Sequence, residues 1–280
     1  MAEGDGAPPP PERNPARMGG KALAVAVPPS NQPNVPWTER EIADAKAECA
    51  KALAGLALDY QRVPPIKEGF CGAPAPILVK SIGSDPKVEI DPPATVTCPL
   101  AAALGTWLSK TVQPEAKALL SSQVIKLKNA TSYSCRNRYG GADTPLSEHA
   151  LANAIDISEF VFTSGERITV LQNWPSVATA QSPPAPEPAA AKVVGGTNPF
   201  ERPTTPPEAK PPPSAAAPLQ SDNGSPSDQS LTERESAFAK FVHDDACNTF
   251  GTVLGPEANE AHKNHFHLDM KARRHAAVCQ

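Results

Sequence analysis

Proline is concentrated in two places, and that distribution sets how much of this chain can fold. Of its 34 prolines, 9 lie in residues 1–36 and 13 in residues 183–226. Proline removes a backbone donor and fixes φ. Mixed with Ala, Ser and Gly it leaves too little apolar surface to offset the entropy of ordering a chain. Residues 1–36 are therefore expected to form a disordered proline-rich tail, and residues 176–230 a disordered Pro/Ala-rich insertion. The rest carries proline at an ordinary density and suffices for one compact domain, 37–280, with the insertion looping out of it. The piece after the insertion, about 50 residues, is small for an independent fold.

Acidic and basic residues are mixed throughout and the net charge is −4. The absence of a Lys/Arg stripe argues against nucleic acid as a partner. No apolar run approaches the ~20 residues of a membrane helix, so no transmembrane segment is expected. Ala22–Val27 falls short of the about 7–15 apolar residues of a secretory signal. The six cysteines, at 49, 71, 98, 135, 247 and 279, form no CxxC pair. An even set so spaced predicts three structural disulfides, and hence an exported protein of the periplasm or cell envelope. Of the fifteen possible pairings, the expected one is Cys49–Cys71, Cys98–Cys135 and Cys247–Cys279.

Local patterns outline the elements. Thr38 and Glu41 form a capping box before Ile42, Ala45, Cys49, Leu53 and Leu56 at helical spacing, which turns Cys49 toward the core. Cys98–Val112 reads as a second helix with Pro99 in its first turn. Strands are expected at Ile77–Ile82, Val88–Ile90, Val124–Leu127, Ala154–Phe160, Ile168–Leu171 and Phe266–Met270. Thr232 and Glu235 suggest a helix start near Leu231. The elements lack a βαβ rhythm, so the expected class is α+β: one domain with a mainly antiparallel central sheet flanked by helices.

Two clusters carry chemistry. One is Ser147-Glu148-His149 followed by Asp156; the other runs from His262 through His265 and His267 to Asp269. Asp156 sits between Ile155 and Ile157 on a strand expected to be buried, so its charge needs a partner. His265 and His267 share a strand face, with Phe266 and Leu268 turned to the core. A lone His-x-His is a common surface pattern, but its conjunction with a histidine and a buried aspartate points to a catalytic metal site of three protein ligands. Glu148 has no HExxH context and is expected to face solvent. Asp269 is placed either to orient a ligand or on the surface.

Ser147-x-His149-x6-Asp156 with His265-x-His267 resembles the zinc signature of peptidoglycan peptidases related to D-Ala-D-Ala carboxypeptidases and penicillin-insensitive murein endopeptidases. It does not fit lysostaphin-type enzymes, whose His-to-Asp interval is shorter. Cys71-Gly72, Tyr133-Ser134-Cys135-Arg136, Thr252-Val253-Leu254-Gly255-Pro256 and His265-Phe266-His267-Leu268-Asp269 resemble the bacterial extensin-like C-terminal domain family. The resemblance implies Zn2+ on His149, Asp156 and His267. It also implies His265 as base or as stabiliser of the reacting centre, and His262 as a histidine shared with murein endopeptidases. Arg136 takes the place of an arginine facing the substrate carbonyl or carboxylate, with Arg138 its rival.

The expected function is a zinc-dependent peptidoglycan hydrolase, monomeric, cutting peptide cross-links between stem peptides. The alternatives are a D,D-carboxypeptidase and a non-catalytic, zinc-containing wall-binding module. A structural proline-rich wall protein is disfavoured because the prolines form no repeat.

Overall fold

The computed structural model describes residues 35–141, 143–175, 226–274 and 276–280. The expected tail over 1–36 and insertion over 176–230 lie outside the described residues except at their inner edges. The first helix, α1 (Glu39–Ala52), begins at the capping box: Thr38 accepts from the Glu41 amide, and the Glu41 carboxylate accepts from the Thr38 amide. β1 (Leu58–Arg62), β2 (Ile66–Glu68), β3 (Cys71–Ala73) and β4 (Ile77–Ile82) follow. β2 and β3 form a small separate hairpin. Gly72 is needed there, since a Cβ would lie 1.9 Å from the Ile66 carbonyl oxygen and φ is +122°.

β5 (Val88–Val96) runs well past the Ile90 expected as its end. Its prolines, 92 and 93, fall where pairing with β4 is interrupted, between the Ser81–Glu89 and Val79–Ala94 rungs, so no ladder donor is lost. The second helix continues beyond Val112. α2 (Cys98–Trp107) passes through a π turn at Leu108–Val112 into α3 (Gln113–Leu120). β6 (Val124–Thr131) and β7 (Ala154–Phe162) pair antiparallel. β8 (Arg167–Thr169) leads directly into a short helix, α4 (Val170–Asn173), where a strand to Leu171 was expected.

After the undescribed stretch, α5 (Pro226–Ala246) starts before Thr232, so the second capping motif lies inside the helix and does not begin it. β9 (Thr252–Leu254), β10 (Phe266–Asp269) and β11 (Val278–Cys279) complete the chain. The main sheet runs β1-β4-β5-β6-β7-β10-β9-β11, with β8 beside β7. Among the described strands only β5–β6 and β9–β11 pair parallel, so the α+β class with a mainly antiparallel sheet is the observed one. Among the described residues no helix is long and apolar enough to cross a membrane.

The two pieces share one core. Phe238 of α5 packs edge-on against Phe160 and Phe162 of β7, with centroids 5.5 and 5.3 Å apart. Trp107 lies between Phe160 and Phe250 and donates to the Val242 carbonyl at 3.0 Å. A bulge at Ser158, which has no partner between the Lys128–Glu159 and Asn129–Ile157 rungs, shifts the alternation of β7 by one residue. Ile155, Ile157, Phe160 and Phe162 can therefore all join the core, while Asp156 faces the other way.

The disulfides are Cys49–Cys98, Cys71–Cys135 and Cys247–Cys279, with Cα separations of 5.0, 5.5 and 6.0 Å. Cys49–Cys71 and Cys98–Cys135 are not formed. The end of α1 lies against the start of α2, and β3 lies against the loop that follows β6, so the partners are neighbours in space and not in sequence. The Cys49–Cys98 bridge includes no residue of either sequence cluster. Replacing both cysteines by alanine is expected to lower stability by about 2–4 kcal/mol, as for a loop of tens of residues. Metal content should be unchanged; denaturant unfolding and metal analysis of the same preparation check both.

Candidate metal centre

His149, Asp156 and His267 meet on the sheet face opposite the apolar core, and all three are buried. His149 comes from a single 3-10 turn, Glu148–Leu151, whose N-cap Ser147 accepts from the His149 amide. Ala152 then takes a left-handed conformation, φ 51°, and the chain enters β7. One tight turn plus the first strand residues accounts for the His-x6-Asp spacing. Asp156 and His267 are register partners across β7 and β10. The turn thus brings one donor to a strand pair that already presents two.

Three atoms converge. His149 Nε2 is 3.1 Å from Asp156 Oδ1 and 3.1 Å from His267 Nδ1, and the latter two are 2.9 Å apart. His149 Nδ1 donates to the Ser132 carbonyl at 2.6 Å, which leaves Nε2 with its lone pair at the centre. His267 Nε2 donates to Asp269 Oδ2 at 3.2 Å, which directs Nδ1 there as well. Two imidazole lone pairs and a carboxylate oxygen so placed are acceptors that only a proton or a cation can reconcile. Tetrahedral coordination with ~2.0–2.1 Å bonds sets donors about 3.3 Å apart, close to the spacing found. The group can hold a metal ion, and the Ser132 carbonyl and Asp269 orient its two imidazoles.

Electrostatics agree with that reading. Burial opposes ionisation of Asp156, but hydrogen bonds from both histidines outweigh it and hold its carboxyl well below the usual range. Burial would lower His267; its bonds to Asp156 and Asp269 prevail and raise it to about 9. Burial and the neighbouring imidazoles push His262 down to about 4, and burial lowers His265 as well.

The other candidates surround this centre. A cavity of about 390 Å3 is lined by Arg136, Arg138, His262 and His265 together with the three donors. β10 begins at Phe266, one residue after His265, yet His265 still faces the cavity with Nε2 3.7 Å from Asp156 Oδ2. Its Nδ1 is held by Asn264 Oδ1 at 2.8 Å. His262 stacks near it, centroids 5.2 Å apart, with Nδ1 on Asn259 Oδ1 at 2.9 Å. Both rival arginines line the cavity, so neither displaces the other.

Glu148 does not face solvent. It is buried, accepting from Asn153 Nδ2 at 2.9 Å and from Lys271 Nζ at 2.8 Å. The 3-10 turn folds it inward, and Lys271 matches its charge. Pattern reading passed over Lys271, which reaches the site through Glu148, and two residues that line the cavity, Tyr139 and Arg273, the latter bonding Thr252. Asp269 was legible from its two-residue offset to His267; the Ser132 carbonyl, a main-chain atom, left no residue-type signal.

A family model described as extensin-like protein C-terminus matches residues 47–189 and 223–280. The chain belongs to that family. No curated protein and no solved structure matches it. The candidate metal centre of this extensin-like domain draws its donors from both matched segments, one on each side of the insertion.

Metal must displace the His267 proton. In the metal-free protein that proton stabilises the fold fully below pH ~6.5, and its contribution is lost as pH rises through about 9. Metal affinity should therefore climb about tenfold per pH unit toward that value, with about one proton released per ion bound. Chelator-competition titrations at several pH values, with calorimetry in buffers of different ionisation enthalpy, measure both. His267→Ala should abolish the proton release together with binding.

Proposed function

We propose that this domain is a zinc-dependent peptidoglycan endopeptidase that acts in the periplasm or cell envelope. The observation that carries the reading is the convergence of His149 Nε2, Asp156 Oδ1 and His267 Nδ1 beneath a cavity in which His265 stands 3.7 Å from the second Asp156 oxygen. Two imidazoles and a carboxylate, with room for a further group, form the donor set of catalytic zinc sites. The resemblance of the His149-x6-Asp156 and His265-x-His267 motifs to murein peptidases favours peptidoglycan as substrate. Three disulfides favour an oxidising compartment.

Bound zinc would supply Lewis acidity toward water and toward the scissile carbonyl. The chain's own residues do the rest. His265 donates from Nδ1 to Asn264, so its Nε2 lone pair faces the cavity, placed to take a proton from the attacking water and return it to the leaving amine. Arg136 has no carboxylate partner among the described residues and is free to donate to the oxyanion as charge develops. His262, buried behind His265, shapes the wall on that side. An intact His265 also favours turnover over a wall-binding module.

Digestion of purified peptidoglycan, with the products identified by mass spectrometry, tests the reading. Cross-linked dimers, both 4-3 and 3-3, are expected to yield monomers, while monomeric pentapeptides keep their last residue. The arginines beside the centre favour a D,D-carboxypeptidase as the second reading, since a terminal carboxylate needs a fixed cation. Rapid trimming of pentapeptides with dimers left intact would establish it. His265→Ala should retain zinc and lose turnover by about 10²–10⁴-fold. Arg136→Ala should lower kcat more than it raises KM, because its contact strengthens in the transition state.

A further inference from the structure

The floor of the cavity is a row of paired residues. Thr131, Asp156, His267 and Leu254 are register partners on β6, β7, β10 and β9, and all four line the cavity. With strands about 4.8 Å apart, the row spans about 14 Å, the length of roughly four extended residues. The metal donors occupy its middle. Arg136 and Arg138 lie on the loop that follows β6, and both line the cavity. Arg273 stands at the β9 end, donating from Nη2 to Thr252 Oγ1.

Arg273 has no role in the chemistry described above. Its Nε is buried and has no hydrogen-bond partner among the described residues. A buried donor left unmatched is destabilising. The acidic side chains that line the cavity are already engaged: Glu148 with Lys271, and Asp156 and Asp269 with the histidines at the metal centre. None of the three arginines lining the cavity has a carboxylate partner among the described residues. The three guanidiniums thus give the cavity beside the metal donors a cationic lining that suits an anionic ligand group.

We propose that Arg273 is a specificity-determining residue that binds a free carboxylate of the substrate at the β9 end of the cavity. The ligand is then a short peptide with a free carboxylate near the scissile amide. The choice of a peptide rests on the peptidase reading; the anion site at Arg273 does not. A guanidinium binds carboxylate and phosphate alike, so inorganic phosphate is the control for a general oxyanion site.

The test is calorimetric titration of the zinc-loaded full chain with a soluble stem tetrapeptide and with the same peptide amidated at its carboxylates. The wild type should bind the native peptide about ten- to a hundredfold more tightly than the amidated one. Arg273→Gln should lose most of that difference while binding the amidated peptide as the wild type does, which a merely structural role would not produce. Arg273→Lys should recover part of it. Equal affinity of wild type and Arg273→Gln for the native peptide would overturn the proposal. If Arg273→Gln does not fold, Arg273→Lys decides: affinity for the native peptide unchanged from the wild type, with no gain from its carboxylates in either protein, overturns it. If no stem peptide binds but glutarate raises the Tm of the wild type and not of Arg273→Gln, the anion site stands and the peptidoglycan reading falls. If glutarate is also without effect, or phosphate displaces the peptide as well as glutarate does, the carboxylate site falls.

Discussion

The antiparallel pairing of β7 with β10 holds this domain together in two senses. It joins the piece before the insertion to the piece after it, and its Asp156–His267 rung places two candidate metal donors in register. Each strand alternates, so the same pairing sends Ile155, Ile157, Phe266 and Leu268 into the core. Core packing and site geometry are two faces of one ladder. Loss of the Phe266 or Leu268 contacts would therefore reach the metal centre through the strand that carries His267.

The remaining elements tune that ladder. Cys71–Cys135 ties the loop bearing Arg136 and Arg138 to the β2–β3 hairpin, and Cys247–Cys279 ties β11 to the end of α5. Both walls of the cavity are thus covalently anchored although neither is a long strand. The carboxylates face in two directions. Asp269 and Asp156 bracket His267, while Glu148 is matched by Lys271. In low-dielectric surroundings an unmatched carboxylate would be costly, and here each has a partner.

Much of this was legible before any coordinates. Capping chemistry located the start of α1 to the residue, and period-two alternation found β4 and the core strands β6, β7 and β10. It failed where tertiary structure overrides local preference. β5 continues past its prolines because pairing is interrupted there, and α5 starts ahead of its apparent capping box. The short strands β9 and β11 carry no pattern long enough to read, yet they form one side of the cavity. Glu148 was misread because a charged residue beside a ligand defaults to solvent unless a cation from elsewhere reaches it; Lys271, 123 positions away, does so.

The sequence by itself determined the residue types that can bind a metal, their spacing, and the faces they occupy, because strand alternation and turn length are local properties. It also determined that the thiols would pair. Tertiary structure decided which thiols meet, which carbonyl sets the His149 tautomer, and which cations are left without a carboxylate. Those depend on distances between segments far apart in the chain. Cys49 finds Cys98, and Ser132 finds His149, only once helices and sheet have packed around a common core.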